Sequence, residues 1–561
     1  MQYGHELATV QPSLIHLSSQ IGTGRNLSDR EVPLTVPFTS GHGTYIFGEV
    51  WRHRSSSTTH NPDIMGSQEQ TTLVTQNQLF YGTFIYPKTL TELEYLYNTA
   101  VAVDQNGTIV AIERDCDLSR VTSTLLPRLG WAPDSVTIHS SSTSHNQFFF
   151  PGFIDTHLHA PQYPNVGIFG KSTLLDWLKT YTFPLEASLS DPAKARTVYN
   201  RVIRKTLSHG TTCAAYYATK DVTTTNLLAD LCLRAGQRAL VGRVCMDQLS
   251  PDYYRDASAA DSVAATRESI AYIQSIDPTG AIVRPVITPR FAPSCSAPLM
   301  ADLGKLAAET GLPVQTHISE NEDEIDEVRR LFPAKEIGAK GDTYTHVYDT
   351  FGLLTDKTIL AHGVHLSKEE VEIIKARGSK VSHCPCSNSA ITSGAARVRW
   401  LLERGIEVGL GTDMSGGYSP SVLEAARQAA LVSRHVAMTC SPEKGSKANK
   451  DGIDRERAKL TVEEVLYLAT KGGAELVGMK GKVGGFEVGM EWDAQLIGLG
   501  RDVADPEYDG GEDEEKEEEE GNVDVFGWES WPDRVAKWVY NGDDRNTRKV
   551  WVKGRLVHQR K

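Results

Sequence analysis

The chain has 561 residues, of which 40% are hydrophobic and 23% charged, and its formal net charge is −13. This length exceeds one small core and predicts a large domain with accessory parts, while the acidic balance argues against general nucleic-acid binding. Its apolar runs fall short of the roughly 18 to 20 residues that span a bilayer, which argues against a membrane protein. The opening segment, MQYGHELATVQPSL, has no basic region followed by an apolar core and predicts no secretory signal.

The eight cysteines are scattered without a CxxC pair, at positions 116, 213, 232, 245, 295, 384, 386 and 440. Without a secretory signal, this pattern argues against a disulfide framework and predicts a cytoplasmic location. Cys384 and Cys386 lack the two further thiols nearby that a structural zinc site would need.

Residues 1–76 are rich in Ser, Thr, Gly, Gln and His, show little periodicity, and are predicted to form a disordered extension. Residues 77–150 then read as a small antiparallel sheet. In this region Asn106-Gly107 lies between two runs rich in Val, Ile and Ala, which is a strong hairpin signal.

β character returns over residues 481–561. GKVGGFEVGMEWDAQLIGL predicts a strand pair, and WVYNGDDRNTRKVWVKGRLV predicts a hairpin with residues 538–540 opposite 550–552. The run at 512–520 holds eight acids and one Lys, and is predicted to be a solvated loop within an insertion at 505–522. We expect the β segments from the two chain ends to form one small discontinuous β-sandwich domain.

Between these regions, over residues 151–480, short apolar runs alternate with helical patterns, several of which end in Gly. The candidate strands are FFFPGFIDTHLH, GTTCAAYY, RALVGRVC, IVRPVITPR, LPVQTHIS, TILAHGVHL, KVSHCPCS and EVGLGTD. Eight βα units in series predict an α/β fold with a (β/α)8 barrel of the TIM type. In such barrels, functional residues collect at the C-terminal ends of the strands.

Four of the candidate strands end in a histidine or a carboxylate. These residues are His157, His159, His317, His362 and Asp413. His157 and His159 are two apart, so a strand would place both on one face. Three imidazoles and a carboxylate suit a borderline metal such as zinc, with one coordination position left for water. Glu320, three residues after His317, would stand beside that water and take its proton.

The motifs PGFIDTHLHAPQ, HGTTC, VQTHISEN, LAHGVHL, SHCPCSN and GTDMSGG, in this order, resemble the metal-dependent amidohydrolase superfamily. Within it, HAPQYPNVG, LLDWLKTYTFPLE, TPRFAPSCS and THISEN are similar to local patterns of the members that deaminate guanine. The resemblance covers about residues 78–561 and leaves out the extension and the acidic insertion. It implies hydrolysis of guanine to xanthine and ammonia by a zinc-activated water, with one Zn2+ per subunit of a homodimer.

The resemblance also implies roles for single residues. The implied zinc ligands are His157, His159, His317 and Asp413. The implied catalytic residues are Glu320 as proton shuttle, His362 as hydrogen-bond partner of the activated water or of the developing oxyanion-like centre, and Asp413. The implied substrate-binding residues are Gln162, Arg290, Phe291, His317, Glu320 and Asp413.

The chemistry of the Gln162, Arg290 and Phe291 side chains is consistent with the purine-binding roles that the resemblance implies. Arg290 offers a donor fork that suits the O6 and N7 acceptors of guanine. Phe291 offers a flat apolar face, and Gln162 can both donate and accept.

The residues leave several alternatives open. The metal set would equally serve a deaminase of adenosine-type nucleosides or cytosine, or a triazine hydrolase, and a non-catalytic scaffold is a further alternative. The residue types do not decide whether the bound metal is zinc, iron or manganese. The segment SHCPCSNS, with little helical character, is either a turn or part of the pocket lining. We expect His209 to end a helix, His365 to face away from the site, and Tyr216 and Tyr217 to pack in the barrel.

Overall fold

The structure, a computed structural model, describes residues 76–440, 453–503 and 521–560. Nearly all of the predicted extension and of the predicted acidic insertion therefore lies outside the described residues. Within the described ranges, no helix is both long enough and apolar enough to cross a membrane.

The strands are numbered in chain order. They are β1 (Asn77–Thr89), β2 (Glu92–Val103), β3 (Ile109–Glu113), β4 (Val136–Ser140), β5 (Gln147–Pro151), β6 (Phe153–His159), β7 (Thr211–Tyr217), β8 (Arg238–Gly242), β9 (Val244–Cys245), β10 (Val283–Pro285), β11 (Thr288–Pro289), β12 (Val314–Ile318), β13 (Thr358–His362), β14 (Lys380–His383), β15 (Val408–Leu410), β16 (Ala494–Gly498), β17 (Thr547–Val552) and β18 (Arg555–Gln559).

The helices are named by their residue ranges. The longer α-helices are Pro192–Ser208, Val222–Ala235, Ala259–Ile276, Ala297–Thr310, Glu322–Leu331, Lys368–Arg377, Val422–Thr439 and Trp531–Asn541. The shorter ones are Leu118–Arg120, Leu126–Arg128, Leu174–Trp177, Phe183–Ser188, Ala334–Ile337, Tyr344–Thr350, Pro385–Ala390, Val398–Glu403, Arg455–Ala458, Val462–Tyr467 and Gly473–Leu476. Turns of π-helix are Val121–Leu125, Leu178–Thr182 and Leu468–Gly472, and 3₁₀ turns are Pro133–Ser135, Ala160–Asn165, Asp252–Tyr254 and Ala292–Ser294.

Strands from the two chain ends form one eight-stranded sheet. Its order is β18-β17-β16-β5-β1-β2-β3, and β4 pairs with β1. β16 runs antiparallel to β5, with Ala494 opposite Pro151, so the C-terminal strands continue the N-terminal sheet directly. The hairpin predicted around Asn106-Gly107 is confirmed, because β2 and β3 pair antiparallel on either side of it.

The predicted hairpin between residues 538–540 and 550–552 is wrong. Residues Trp531–Asn541 form a helix that begins after the N-cap Ser530. Its buried residues are Val535, Trp538 and Val539, the spacing of one helical face. The observed hairpin instead joins β17 to β18. Farther upstream, the predicted strand pair in 481–499 is also wrong, since it contains only β16.

The central part contains the predicted strands in the predicted order. Each of the eight candidate segments includes an observed strand, and the third and fourth are divided into β8 with β9 and β10 with β11. Their pairing is parallel, in the orders β10-β8-β7-β6, β11-β9 and β12-β13-β14-β15. A parallel bridge between Ile287, just before β11, and Val314 of β12 connects the pair β11-β9 to the sheet β12-β13-β14-β15.

Beyond β15, the chain passes beside β6. The backbone N–H of Asp413 donates to the carbonyl of His157 at 2.8 Å, and that of His159 donates to Met414 at 3.0 Å. These two hydrogen bonds bring the end of the last parallel strand against the end of the first, at the edge where the predicted ligands lie.

The helices between these strands end as the sequence predicts. Gly236, Gly311 and Gly378 follow three of them with left-handed φ values of 78°, 64° and 70°. This conformation costs a glycine little, because it has no Cβ. His209 likewise follows the helix Pro192–Ser208, as predicted.

A buried ion pair joins the central part to the terminal sheet. Arg238, at the start of β8, donates to Asp493 from Nε at 2.7 Å and from Nη2 at 2.8 Å, and Asp493 also accepts from the backbone of Lys553 at 2.8 Å. Arg238 and Asp493 are each only 2% exposed. Glu491, whose side chain is 23% exposed, also accepts from Nη2 of Arg238 at 2.6 Å. Asp493 is therefore the buried one of two carboxylates that compensate the guanidinium charge.

We expect the substitution Asp493→Asn to lower the free energy of unfolding by about 3 kcal/mol, because it removes one partner of a buried ion pair and leaves Arg238 only the partly exposed Glu491. Urea unfolding followed by circular dichroism measures the change. Asp252→Asn is the control, because Asp252 pairs with Arg255 while its own side chain is 89% exposed, and it should shift the midpoint little. Equal midpoints for the two variants would contradict this role of the buried pair.

Candidate active site

The five predicted strand-end residues meet at one edge of the parallel strands. His157 and His159 end β6, His317 lies in β12, His362 ends β13, and Asp413 follows β15. Of these, His157, His159, His362 and Asp413 are each 6% exposed or less. Residues separated by more than 250 positions are thus placed together by the parallel arrangement of the strands.

Asp413 lies at the centre of this group. Its Oδ1 is 3.2 Å from Nε2 of His157 and 3.3 Å from Nε2 of His159. Its Oδ2 is 3.8 Å from Nε2 of His362. In addition, Nε2 of His159 lies 3.2 Å from Nε2 of His317. Four imidazoles therefore direct ring nitrogens at one small volume.

Hydrogen bonds on the far side of two rings fix which nitrogen faces this volume. Nδ1 of His317 lies 2.6 Å from the carbonyl oxygen of Arg290, to which it donates. Nδ1 of His362 donates to Oδ1 of Asn388 at 2.8 Å. Nε2 of His317 then carries a lone pair toward the centre, which is how outer partners orient metal-binding imidazoles.

The donor set fits a divalent metal ion. Nε2 of His157 and Nε2 of His362 are buried without a hydrogen-bond partner among the described residues. Such atoms are costly unless something satisfies them, and a cation would satisfy several at once. The ligand atoms of His157, His317, His362 and Asp413 all lie within 4.8 Å of one another. This group includes His362 and not the implied ligand His159. Nε2 of His159 nevertheless faces the same centre, because it lies close to His317 and Asp413.

Burial keeps the imidazoles of His157 and His317 in the neutral form, which is the form that binds metals. Burial lowers the pKa of His157 to about 4, although the nearby Asp413 carboxylate acts in the opposite direction. Burial, reinforced by the neighbouring imidazoles, also holds the pKa of His317 well below its usual range. Burial alone would raise the pKa of Asp413, but His157 and His159 hold it well below the usual range. Neutral imidazoles with an ionised carboxylate are the ligand forms that zinc requires.

Glu320 lies beside this group and is 2% exposed. Its Oε2 is 3.4 Å from Nε2 of His362, and its Oε1 accepts a hydrogen bond from Oγ of Ser393 at 2.9 Å. Burial raises the pKa of Glu320 to about 7, against the lowering effect of His362. A carboxyl group with this pKa can both accept and return a proton near neutral pH.

The backbone at two of these residues is strained. His362 has φ 76° and Asp413 has φ 45°, both in the left-handed region that side-chain-bearing residues rarely adopt. Such conformations persist where surrounding structure imposes them, and they concentrate at functional sites.

A pocket opens next to Glu320 and the histidines. Its apolar lining consists of Leu174, Trp177, Leu178, Phe291 and Ile391. Its polar lining consists of His159, Gln162, Arg290, His317, Glu320 and Asp413. Every residue that the sequence analysis assigned to the substrate therefore borders this pocket. A flat apolar wall with a few convergent polar groups suits an aromatic heterocycle.

The donor fork of Arg290 is already engaged. Nη1 donates to Oε2 of Glu186 at 2.6 Å, and Nη2 donates to Oε1 at 3.1 Å. Arg290 retains only its lateral N–H groups for another molecule. Gln162 also donates from Nε2 to Oε1 of Glu186, at 2.7 Å. Glu186 was not identified from the sequence, although it lies in LLDWLKTYTFPLE, one of the segments that carried the resemblance.

The segment SHCPCSNS is not the turn described among the alternatives, because Pro385–Ala390 forms a short helix. Asn388 of this helix holds His362, and Ser393 just beyond it holds Glu320. Ile391 between them lines the pocket. Asn388 of this segment thus supports His362, and Ser393, four residues beyond the segment, supports Glu320, contacts that no motif in the sequence revealed.

The remaining histidine and tyrosine predictions concern residues around the site. His365 directs Nε2 to the carbonyl of Ser393 at 2.8 Å, away from the metal-binding group. The ring of Tyr217 packs against His157 and His159, with centroids 4.8 Å and 4.6 Å away. Tyr216 is buried and donates to Gln237 at 2.8 Å. Neither tyrosine borders the pocket.

A model of the amidohydrolase family matches residues 148–557. The chain belongs to the amidohydrolase family, whose members depend on metal ions. Its α/β class and the order of its strands agree with the barrel-type fold of that family.

Several individual proteins that are similar to the chain carry the name guanine deaminase. The chain is 45% identical to a "Probable guanine deaminase" of Schizosaccharomyces pombe, over 85% of this chain and 83% of that protein. It is 38% identical to a guanine deaminase of Dictyostelium discoideum, over 86% and 98%. Among solved structures, guanine deaminase from C. acetobutylicum with bound guanine has a TM-score of 0.70 at 32% identity, covering 86% of this chain and 100% of that one.

Proposed function

We propose that this chain catalyses the hydrolytic deamination of guanine to xanthine and ammonia. The observation that carries the proposal is the pocket that joins a metal-binding group and Glu320 to Gln162, Arg290 and Phe291. Relatives named guanine deaminase, at up to 45% identity, support the same reaction.

The metal is proposed to be Zn2+, one ion per subunit. Its proposed ligands are His157, His159, His317 and Asp413. Imidazole and carboxylate donors in this ratio suit zinc, and a bound ion would supply Lewis-acid activation of water near neutral pH.

Glu320 and His362 are the proposed proton-handling residues, and Asp413 helps to orient the attacking water. Glu320 accepts one water proton and passes it to the ring nitrogen beside C2, as the water oxygen bonds to C2. Glu320 then relays the second proton to the amino group, so that the C2–N bond breaks and ammonia leaves. His362, fixed by Asn388, hydrogen-bonds the oxygen on which charge develops.

Three residues are proposed to hold the base. Phe291, which is 4% exposed, presents its face to the ring. Arg290 donates a lateral N–H to an acceptor such as O6 or N7, and Gln162 donates the second N–H of its amide. Both donors suit an oxo-purine, which carries acceptors along this edge.

We also propose a domain architecture and an oligomeric state for the chain. Residues 151–480 would form a closed (β/α)8 barrel, supported by the hydrogen bonds between Asp413 and His157 and between His159 and Met414. Residues 77–150 and 481–561 would form a β-sandwich, supported by their common sheet. We further propose a homodimer in the cytoplasm that acts on a small purine, with neither a nucleic acid nor a membrane as partner.

Ammonia release from a panel of substrates tests the proposed reaction. The purified protein should release ammonia from guanine and form xanthine. It should act far more slowly on adenine, cytosine, guanosine and a triazine. Turnover of another substrate in preference to guanine would overturn the proposed roles of Gln162, Arg290 and Phe291. No turnover and no bound metal would favour a scaffold.

We expect Ser393→Ala to lower kcat for guanine about tenfold with little change in KM, because a hydrogen bond to a charged group contributes about 1.5 to 3 kcal/mol. The lost bond is the one that holds Oε1 of Glu320. Steady-state kinetics measure the effect. Ser389→Ala is the matched control, because Ser389 belongs to the same segment and is exposed. A wild-type kcat for the Ser393 variant would show that Glu320 needs no such support.

A further inference from the structure

A buried carboxylate lies behind the pocket rather than in it. Glu186 has no exposed surface and does not border the pocket, yet it contacts two residues that do. Oε1 accepts from Gln162 at 2.7 Å and from Arg290 at 3.1 Å, and Oε2 accepts from Arg290 at 2.6 Å. One side chain therefore connects both polar groups proposed to read the base.

The helix Phe183–Ser188 produces this arrangement. Phe183 and Glu186 are three residues apart, so they lie on the same side of the helix. The guanidinium of Arg290 lies over the ring of Phe183, 5.3 Å from its centroid, while Glu186 binds its η nitrogens. The guanidinium is thus held from two directions by one turn of helix.

The charge state of Glu186 follows from these contacts. Burial would raise its pKa, but Arg290 holds the pKa below the usual range. The carboxylate is ionised and compensates the buried Arg290 charge. Removing one partner of such a pair leaves the other charge unsatisfied.

Glu186 also decides how the Gln162 amide is oriented. Because a carboxylate only accepts hydrogen bonds, the amide nitrogen of Gln162 must face it. The amide oxygen then accepts from the backbone N–H of Ser415 at 3.3 Å. The remaining N–H of Gln162 and the lateral N–H groups of Arg290 are donors. Both residues therefore present donors to a bound base.

We infer that Glu186 is a positioning residue that makes this edge of the pocket donor-only and thereby selects bases that carry acceptors there. The inference rests on the proposed guanine deamination and names the residue behind its specificity. Guanine carries O6, N7 and N3 as acceptors. In 2,6-diaminopurine, an amino group replaces O6, and a donor then faces a donor.

The test compares wild type with Glu186→Gln, which keeps the shape of the side chain but introduces an amide that can donate. We expect KM for guanine to rise about tenfold or more, with a smaller change in kcat, because hydrogen bonds to a charged group are lost. The inhibition constant of 2,6-diaminopurine relative to KM for guanine should fall, since Gln162 and Arg290 are no longer fixed. A merely structural role would leave this ratio unchanged.

Asp493→Asn is the matched control, because Asp493, just before β16, also binds a buried arginine through two oxygens but does not border the pocket. It should lower stability while leaving KM and the ratio as in wild type. If Glu186→Gln does not fold, Glu186→Asp serves, because the shorter carboxylate cannot keep contact with both Gln162 and Arg290. Its KM should also rise.

Wild-type KM and ratio in the folded Glu186 variant would overturn the inference while wild type still deaminates guanine. Absence of guanine deamination by the wild-type protein would instead overturn the proposed function. The two failures are therefore distinguishable within one set of assays.

Discussion

The Glu320→Gln protein is expected to keep its metal and to lose about three orders of magnitude in kcat for guanine, within the range of 10² to 10⁴ for a general acid–base group. Gln has the shape of Glu, and its amide oxygen can still accept from Ser393. It cannot take a proton from water or return one. The loss should therefore appear in kcat, with KM for guanine changed much less.

Glu322→Gln is the control for this variant, because Glu322 is two residues away and its side chain is 87% exposed. Steady-state ammonia release and metal analysis on the same samples separate a catalytic defect from a metal defect. A Glu320→Gln protein with more than about a tenth of wild-type kcat would mean that another group carries the proton.

The His157→Ala protein is expected to lose its bound metal and nearly all deaminase activity. Nε2 of His157 has no hydrogen-bond partner among the described residues and lies 3.2 Å from Asp413. The substitution therefore removes a proposed metal ligand without removing a protein hydrogen bond at that atom. We expect metal content to fall below about a tenth of the wild-type value, since outer partners alone already change metal affinity 10- to 100-fold.

Metal analysis after gel filtration measures the metal content of the variant, and thermal unfolding shows whether the variant is folded. His209→Ala is the control, because His209 ends the helix Pro192–Ser208 outside the metal-binding group. Wild-type metal content in the His157 variant would remove His157 from the ligand set.

The parallel strands could be predicted because they are short apolar runs separated by capped helices, and their order along the chain is their order in the fold. The metal-binding group could also be predicted, because its members are polar residues at the ends of these strands. The helix Trp531–Asn541 could not be distinguished from a strand at Trp538, Val539 and Tyr540. Three adjacent large apolar residues satisfy either pattern, and only the burial of Val535 reveals the helical one.

The supporting residues escaped prediction for a different reason. Glu186, Asn388 and Ser393 act through partners 104, 26 and 73 residues away, respectively. Each is an ordinary polar residue in its own segment, and its role depends on tertiary contacts. The sequence therefore pointed to the residues that border the pocket, while the structure revealed the residues that hold them in place.

The most direct measurement is the conversion of guanine to xanthine by one purified sample before chelation, after chelation and after addition of zinc. We predict turnover that disappears with the metal and returns with near one zinc per chain. Turnover that persists in metal-free protein, or a zinc-loaded protein that leaves guanine unchanged, would contradict a metal-dependent guanine deaminase.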